Sequence, residues 1–206
     1  MARPAAPALS LVDPIMPVLY PQPFDGQEWL FEPRYDGFRG LLYLSGRACH
    51  FRSKQGNVLR RFEHLCYWVR EEPVERDVIL DGEVIALDQE GRQDFRLLMR
   101  GGGNLHYAVF DVLWLRGKDF RECQLSRRKG MLGKLVKRTT TVLSPVFGVR
   151  GRGRDLFAAV ERLDLEGMVA KRLVDRYTSD TVWPKIMNDA YTQKEGRRDL
   201  FHPARR

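Results

Sequence analysis

The sequence predicts an α+β domain in which antiparallel sheets are flanked by helices. Strand-like segments, rich in β-branched and aromatic residues, outnumber helical ones along the 206 residues. The helical segments interrupt the strands at irregular intervals, whereas a doubly wound parallel sheet requires a regular alternation of strand and helix. A hydrophobic content of 43% is enough for one domain with its own core.

The N-terminal segment is rich in proline. Six prolines fall within residues 1–23, and proline favours extended backbone without regular hydrogen bonds. We therefore expect an extended arm that contacts the domain through Leu19 and Phe24. The domain itself is expected to span residues 24–201, and a basic tail follows at 202–206.

Strand and helix signals follow one another through the middle of the chain. The pair Ser45-Gly46 separates two strand-like runs, Phe38–Leu44 and Ala48–Arg52, and so predicts a hairpin. Apolar residues recur at helical spacing over residues 60–71. Two longer β-branched and aromatic runs predict central strands at Val78–Leu87 and His106–Leu115.

The second half of the chain predicts two further helices and two short strands. Ser126 is a candidate N-cap for a helix that runs through Arg138, and Asp155 is a candidate N-cap for another. Apolar residues at helical spacing give the second of these helices a buried face, formed by Leu156, Phe157, Val160 and Leu163. The short strands are expected at Met168–Lys171 and Val182–Met187.

The charge distribution favours a polyanionic partner such as nucleic acid. The formal net charge is +8, and nine lysines and arginines lie between Arg116 and Arg138 against two acidic residues. A glycine-rich segment and the C-terminal tail add further basic residues, among them Arg150, Arg152, Arg154 and Lys194. For the basic helix, a surface that binds phosphates and a merely solvated face are both open interpretations.

Cysteine usage and hydropathy bound the cellular setting. Three scattered cysteines form neither a zinc motif nor a disulfide framework, which fits a reducing cytoplasmic compartment. No apolar run approaches the ~20 residues of a membrane span, so we expect no membrane contact. We also expect a monomer.

Six short motifs follow one another in a fixed order. The first is Arg34-Tyr35-Asp36-Gly37-Phe38-Arg39, preceded by Glu32. The others are Ser53-Lys54-Gln55-Gly56, Asp81-Gly82-Glu83-Val84, Tyr107-Ala108-Val109-Phe110-Asp111, Glu166-Gly167-Met168-Val169-Ala170-Lys171 and Trp183-Pro184-Lys185-Ile186-Met187. Together they resemble the motifs of ATP-dependent DNA ligase adenylation domains, and residues 191–197 are similar to short bacterial stand-alone ligase-like proteins. The resemblance runs from about residue 24 to 201 and implies the nucleotidyltransferase (ATP-grasp-like) fold.

The resemblance implies a site for the base and the sugar of ATP. By analogy with the family, Phe110 stacks on the adenine and Glu32 accepts a hydrogen bond from its amino group. Arg39 and Glu83 are implied in holding the ribose. The chain has no Gly-rich P-loop, so side chains must hold the phosphates.

The phosphate contacts are likewise implied by the family. Lys171 and Lys185 supply positive charge at the phosphates of ATP. Glu166, together with Asp36, binds the divalent metal, Mg²⁺ or Mn²⁺. Lys54 is implied in contact with the phosphate of nicked or broken duplex DNA, which makes DNA the expected partner.

Three positions depart from the family pattern, and all three concern phosphates. Arg34 stands where the family has the lysine that takes AMP from ATP. Arginine keeps its proton at any working pH, whereas a desolvated lysine can lose its proton and attack phosphorus. Met187 replaces a lysine that stabilises the transferring group. Lys54 replaces an arginine and lacks the bidentate fork of the guanidinium.

We therefore expect a ligase-like adenylation domain that binds ATP or AMP and DNA, with impaired self-adenylation. One alternative is an active ligase that uses another lysine, such as Lys54, Lys171 or Lys185. A second is a non-catalytic nucleotide- or DNA-binding module with a protein partner in DNA repair. Ligases of this family carry an OB-fold domain after the sixth motif, whereas 19 residues follow Met187. Either that domain was removed or the protein has one domain.

Overall fold

A computed structural model describes residues 12–136 and 141–194. Within these ranges the strands are β1 (Val18–Leu19), β2 (Gly26–Arg34), β3 (Phe38–Ser45), β4 (Ala48–Arg52), β5 (Asp77–Leu87), β6 (Asn104–Leu115), β7 (Lys118–Asp119), β8 (Leu143–Pro145), β9 (Val149–Gly151), β10 (Gly167–Arg172) and β11 (Pro184–Met187). The α-helices are α1 (Glu63–Glu71), α2 (Phe95–Arg100), α3 (Leu125–Leu135) and α4 (Gly153–Arg162). Short 3-10 helices cover Arg60–Phe62 and Thr192–Lys194.

The strands form two sheets. The first sheet has the order β1-β11-β10-β2-β9, and the second has the order β4-β3-β5-β6-β7 with β8 beside β6. Neighbouring strands are antiparallel except for the pairs β1–β11 and β6–β8. This arrangement confirms the α+β class and the antiparallel character predicted from the sequence, and no OB-type barrel follows β11 in the described part of the chain.

The two sheets face each other, and helices cover their outer faces. The core between the second sheet and helices α1 to α3 includes Leu42, Leu80, Val84, Leu65, Leu98 and Leu132. The core between the first sheet and α4 includes Phe31, Met168, Ile186, Leu156 and Val160. A third cluster lies between the sheets and includes Leu41, Ile79, Leu113, Val169 and Trp183. Strands β5 and β6 are buried on both faces, which explains their nearly continuous apolar sequences.

The hairpin and the central strands confirm the pattern-based predictions, but α3 starts one residue earlier than its predicted cap. Gln124 occupies the N-cap position, so Ser126 lies in the first turn. The amide of Ser126 donates to the carbonyl of Leu173, so a tertiary contact satisfies a group that a side-chain cap would otherwise serve. Helix α3 ends at Leu135, and Arg138 lies outside the described residues.

Helix α4 also differs from its prediction at both ends. It begins at Gly153, so Asp155 lies in the first turn rather than at the N-cap. There its negative charge interacts favourably with the positive end of the helix dipole. Leu163 follows the last helical residue and is 61% exposed, so it does not belong to the buried face. None of the helices in residues 12–136 and 141–194 is long and apolar enough to span a membrane.

The N-terminal segment is anchored through Phe24, as expected, but through Val12 and Ile15 rather than the side chain of Leu19. Leu19 is 65% exposed because β1 lies at the edge of the first sheet, where it contributes backbone hydrogen bonds to β11. Val12 and Ile15 are buried in the cluster between the sheets instead. Phe24 packs on the α4 side of the first sheet, as predicted. Residues 12–19 are therefore an integral part of the folded domain.

Candidate functional site

A cavity of about 610 Å³ opens between the two sheets. On the first-sheet side, Glu32 of β2 and Lys185 of β11 both lie in register with Val169 of β10. Arg34 and Lys171 lie two residues from this row on β2 and β10, so strand alternation directs their side chains to the same face. All five residues line the cavity.

The second sheet supplies the opposite wall. Arg39 of β3 is the register partner of Glu83 of β5, and both line the cavity together with Phe110 of β6. The loop after β4 adds Lys54 at the rim. The fold thus gathers residues from all six motifs around one space: Glu32, Arg34, Arg39, Lys54, Glu83, Phe110, Lys171 and Lys185.

Arg34 forms an ion pair with Glu166. The contact joins Nη1 of Arg34 to Oε2 of Glu166. Gly167 is the register partner of Arg34, so the sheet brings the preceding residue, Glu166, next to the guanidinium. The Glu166 side chain is 4% exposed, whereas that of Arg34 is 31% exposed and lines the cavity. A buried carboxylate is therefore neutralised by a cation that borders the cavity.

Two lysines engage Glu32. Lys171 Nζ lies 2.6 Å from Oε2, and Lys129 Nζ contacts Oε1. Lys171 Nζ also lies 4.2 Å from the ring centroids of both Phe110 and Trp183. Burial disfavours the charged amine more than Glu32 favours it, and the pKa of Lys171 falls to about 8. The contact of Glu32 with an adenine amino group stays a prediction.

Arg39 holds together parts of the chain that are distant in sequence. Its Nε and Nη2 donate to the two oxygens of Asp81 at 3.0 and 2.6 Å, and Nη1 donates to the carbonyl of Ile15 at 2.6 Å. The Tyr177 hydroxyl donates to the same Asp81 carboxylate at 2.6 Å. The guanidinium carbon lies 5.1 Å from the ring centroid of Phe110. Arg39 therefore fixes the aromatic ring and the N-terminal segment, and its contact with ribose stays a prediction.

Glu83 is the carboxyl group of the second-sheet wall. Burial raises the pKa of Glu83 to about 7, while Arg34 and Arg39 oppose this rise. Near neutral pH the group is therefore present in both protonation states. A protonated carboxyl can donate as well as accept a hydrogen bond, which suits a partner with hydroxyl groups such as a ribose.

Comparison with known proteins decides the family. The protein-family model described as ATP dependent DNA ligase domain matches residues 20–186 of this chain. This chain belongs to the ATP-dependent DNA ligase family. It is 31% identical over 175 residues to the multifunctional non-homologous end joining protein LigD of Pseudomonas aeruginosa, covering 82% of this chain and 21% of that protein.

Two further relatives support the assignment to the ligase domain. The SPbeta prophage-derived DNA ligase-like protein LigB of Bacillus subtilis is 27% identical over 192 residues, covering 88% of this chain and 69% of that protein. A structure of mycobacterial DNA ligase D complexed with ATP and MES superposes with a TM-score of 0.71 at 25% identity, covering 85% of this chain and 60% of that one. The chain spans about a fifth of the length of the LigD proteins that it matches.

The carboxylates of this ligase domain do not fit the predicted divalent metal. Glu166 is engaged by Arg34, and Asp36 is buried and accepts a hydrogen bond from the Tyr191 hydroxyl at 3.0 Å. Mg²⁺ prefers carboxylate and phosphate oxygens with room for several waters. Among the described residues that line the cavity, the carboxylates are those of Glu32 and Glu83, and Glu32 is bound by two lysines.

Two of the three departures from the ligase pattern lie at the cavity, and one lies beside it. Arg34 and Lys54 line the cavity, whereas Met187 is not among its lining residues. Met187 is the register partner of Gly167, which in turn pairs with Arg34. Met187 and Arg34, two positions at which the sequence departs from the ligase pattern, therefore lie in the same cross-strand row.

The structure adds residues to the set that the sequence assigned to the site. Lys129 belongs to the basic stretch and to none of the six motifs, yet it contacts Glu32 and the carbonyl of Phe110. Trp183, the first residue of the sixth motif, is buried and also forms part of the cavity wall. Asp81 and Tyr177 accept hydrogen bonds from Arg39 and so fix its position in the cavity wall. Helical spacing from Leu125 to Arg128 and Leu132 was a usable signal that α3 turns basic residues inward.

Proposed function

We propose that this ligase domain binds ATP or AMP in the cavity between its sheets and does not adenylate itself. The observation that carries the proposal is Arg34, which lines the cavity at the family's nucleophile position and pairs with Glu166. Self-adenylation forms a bond between an amine nitrogen and the α-phosphorus, expels pyrophosphate and releases a proton. Because a guanidinium keeps its proton, Arg34 has no lone pair available for that attack.

The remaining wall supports nucleotide binding. Phe110 offers an aromatic face for adenine, and Glu83 offers a carboxyl group for the ribose. Lys185 and Lys54 provide positive charge for phosphates at the same cavity. These contacts need no nucleophile, so binding is separable from chemistry.

DNA is the proposed macromolecular partner. Lys54 stands at the rim of the cavity, where the phosphate at a nick or a broken end can approach it. Because relatives are named for non-homologous end joining, we propose a role in the repair of broken duplexes. We also propose that the domain is a cytoplasmic monomer with a repair protein as its partner. Fluorescence titration with nicked duplex at 50 and 200 mM salt tests this, because phosphate-dominated binding weakens strongly over that range. Affinity unchanged by salt would count against it.

Intact-mass measurement tests the absence of self-adenylation. The wild-type protein is incubated with ATP and magnesium, denatured and weighed. We expect an unshifted mass, because no neutral amine replaces the family lysine at position 34. A stoichiometric gain of one adenylyl group that survives denaturation would contradict the proposal.

Lys171 supports a second candidate function, that of an active ligase with a substitute nucleophile. Its pKa of about 8 leaves part of the amine neutral in mildly alkaline buffer. However, its ion pair with Glu32 and its contacts with the rings of Phe110 and Trp183 indicate a structural role in the cavity wall. If an adduct forms, peptide mapping that finds AMP on Lys171 would establish this alternative.

A further inference from the structure

Some charged side chains around the cavity lie against a side chain of opposite charge, and others do not. Glu32 lies against Lys129 and Lys171, and Asp81 lies against Arg39. Two cavity lysines, Lys54 and Lys185, have no described carboxylate within ion-pair distance, while Arg34 neutralises Glu166 at the cavity edge. An anionic ligand would therefore meet positive charge without any added metal.

The position of Arg34 also obstructs a metal at Glu166. A divalent cation would have to displace the guanidinium from a carboxylate that is almost fully buried. Arginine cannot lose its charge to relieve the resulting repulsion, because its guanidinium stays protonated at any working pH. A guanidinium, in contrast, can contact a carboxylate and a phosphate at once, since its five N–H groups point in several directions.

We propose that Arg34 is an internal substitute for the divalent cation, so that this cavity binds the phosphates of adenine nucleotides without a metal. The inference rests on the proposed nucleotide site and adds how its phosphates are held. It identifies the preferred ligand class as metal-free adenine nucleotides, including AMP. Arg34 then has a positive role in binding, beyond the loss of the nucleophile.

Calorimetric titration of the wild-type protein with AMP and with ATP, in EDTA and in excess magnesium, tests the inference. We expect the Kd for AMP in EDTA to lie within about threefold of its value in magnesium, a difference below 1 kcal/mol. A Kd at least about tenfold weaker in EDTA would overturn the inference, while nucleotide binding itself stands. Lack of saturable binding in both buffers would overturn the proposed function as well.

Substitutions at position 34 provide a second test. Arg34→Gln removes the charge and releases Glu166, so AMP binding in EDTA should weaken about tenfold or more. Magnesium should then recover part of the affinity, unlike in the wild type. Arg150→Ala, at an exposed arginine of β9 outside the cavity wall, is the matched control and should bind AMP as the wild type does. Equal AMP binding by Arg34→Gln and wild type in EDTA would overturn the inference.

A direct metal measurement covers the case in which Arg34→Gln does not fold. Electron paramagnetic resonance of Mn²⁺ reports the free ion as it is titrated with wild-type protein and no nucleotide. We expect no stoichiometric loss of the free-ion signal at micromolar protein. Stoichiometric Mn²⁺ binding that disappears in Glu166→Gln would overturn the inference, because it would place the metal at the carboxylate assigned to Arg34.

Discussion

Lysine and arginine carry the same charge at neutral pH, but they differ in what each can do beside an α-phosphate. A lysine in a dry pocket can deprotonate and become a nucleophile, and burial lowers the pKa of Lys171 in this way. Arg34 can only stabilise negative charge. At the residue scale, we therefore expect arginine at position 34 to permit the binding of a nucleotide but not its reaction.

We expect adenine binding to depend most directly on Phe110. It lines the cavity, and Arg39 and Lys171 hold its ring in place. Phe110→Ala should weaken ATP binding by about 1–3 kcal/mol, the scale of losing one base stack. Calorimetric titration measures the effect, with the exposed Tyr67 of α1 changed to alanine as the control. If Phe110→Ala and wild type bind ATP equally, the adenine position is misassigned.

Glu83 makes a pH-dependent contribution to stability. The pKa of Glu83 is raised in the folded state, from 4.5 to about 7, so the folded protein retains a proton that the unfolded chain releases. The free energy of unfolding should therefore fall as pH rises between these values. Glu83→Gln should stabilise the protein relative to wild type by about 1–3 kcal/mol more at pH 8 than at pH 4.5, measured by urea denaturation. The exposed Glu161→Gln is the control, and an equal difference at both pH values would refute the assignment.

The residue types at the site could be predicted from the sequence, but many of their partners could not. The order of the motifs identified Arg34, Glu83 and Phe110 as candidate site residues, because each motif is a short run of consecutive residues. The pairing of Glu32 with Lys129 joins residues 97 positions apart, which only the packing of α3 on β6 determines. The ion pair of Arg34 with Glu166 likewise depends on the register of β2 and β10.

At the scale of elements, α3 has a different role from the one its charge suggested. Arg128 is fully buried and donates to both oxygens of Asp111 on β6, at 2.8 and 3.0 Å. Lys129 also points inward, whereas Arg127 and Lys134 are exposed. The net charge of the stretch therefore overstated the basic surface, because part of it neutralises buried carboxylates.

The buried ion pair of α3 should be a major stabilising contact. Arg128→Ala leaves Asp111 charged and uncompensated in the core, which costs about 3–5 kcal/mol of unfolding free energy. Arg127→Ala, one residue away and exposed, should change stability by less than about 0.5 kcal/mol. Urea denaturation compares the two variants. A loss of stability for Arg128→Ala no larger than that of Arg127→Ala would show that the pair contributes little.

At the scale of the whole molecule, the cavity exists because two sheets face each other and each is supported by its own helices. The sequence predicted this class well, since strands and helices could be recognised from period and composition. It could not predict that residues 12–19 complete the fold, because their anchoring uses backbone pairing of β1 with β11 and the isolated apolar residues Val12 and Ile15. The two facing sheets and residues 12–19 form the frame around the cavity.

The most direct test of the account restores the nucleophile within this frame. Arg34→Lys is incubated with ATP and magnesium and its intact mass is compared with that of wild type. We expect a slow gain of one adenylyl group in the variant and none in wild type, with magnesium required because the shorter lysine leaves Glu166 accessible. Adding Met187→Lys should accelerate adduct formation, since one more cation at the phosphate is worth about 2–4 kcal/mol by comparison with oxyanion stabilisers. A folded Arg34→Lys variant that binds ATP and gains no adduct, or a wild-type protein that becomes adenylated, would contradict the account.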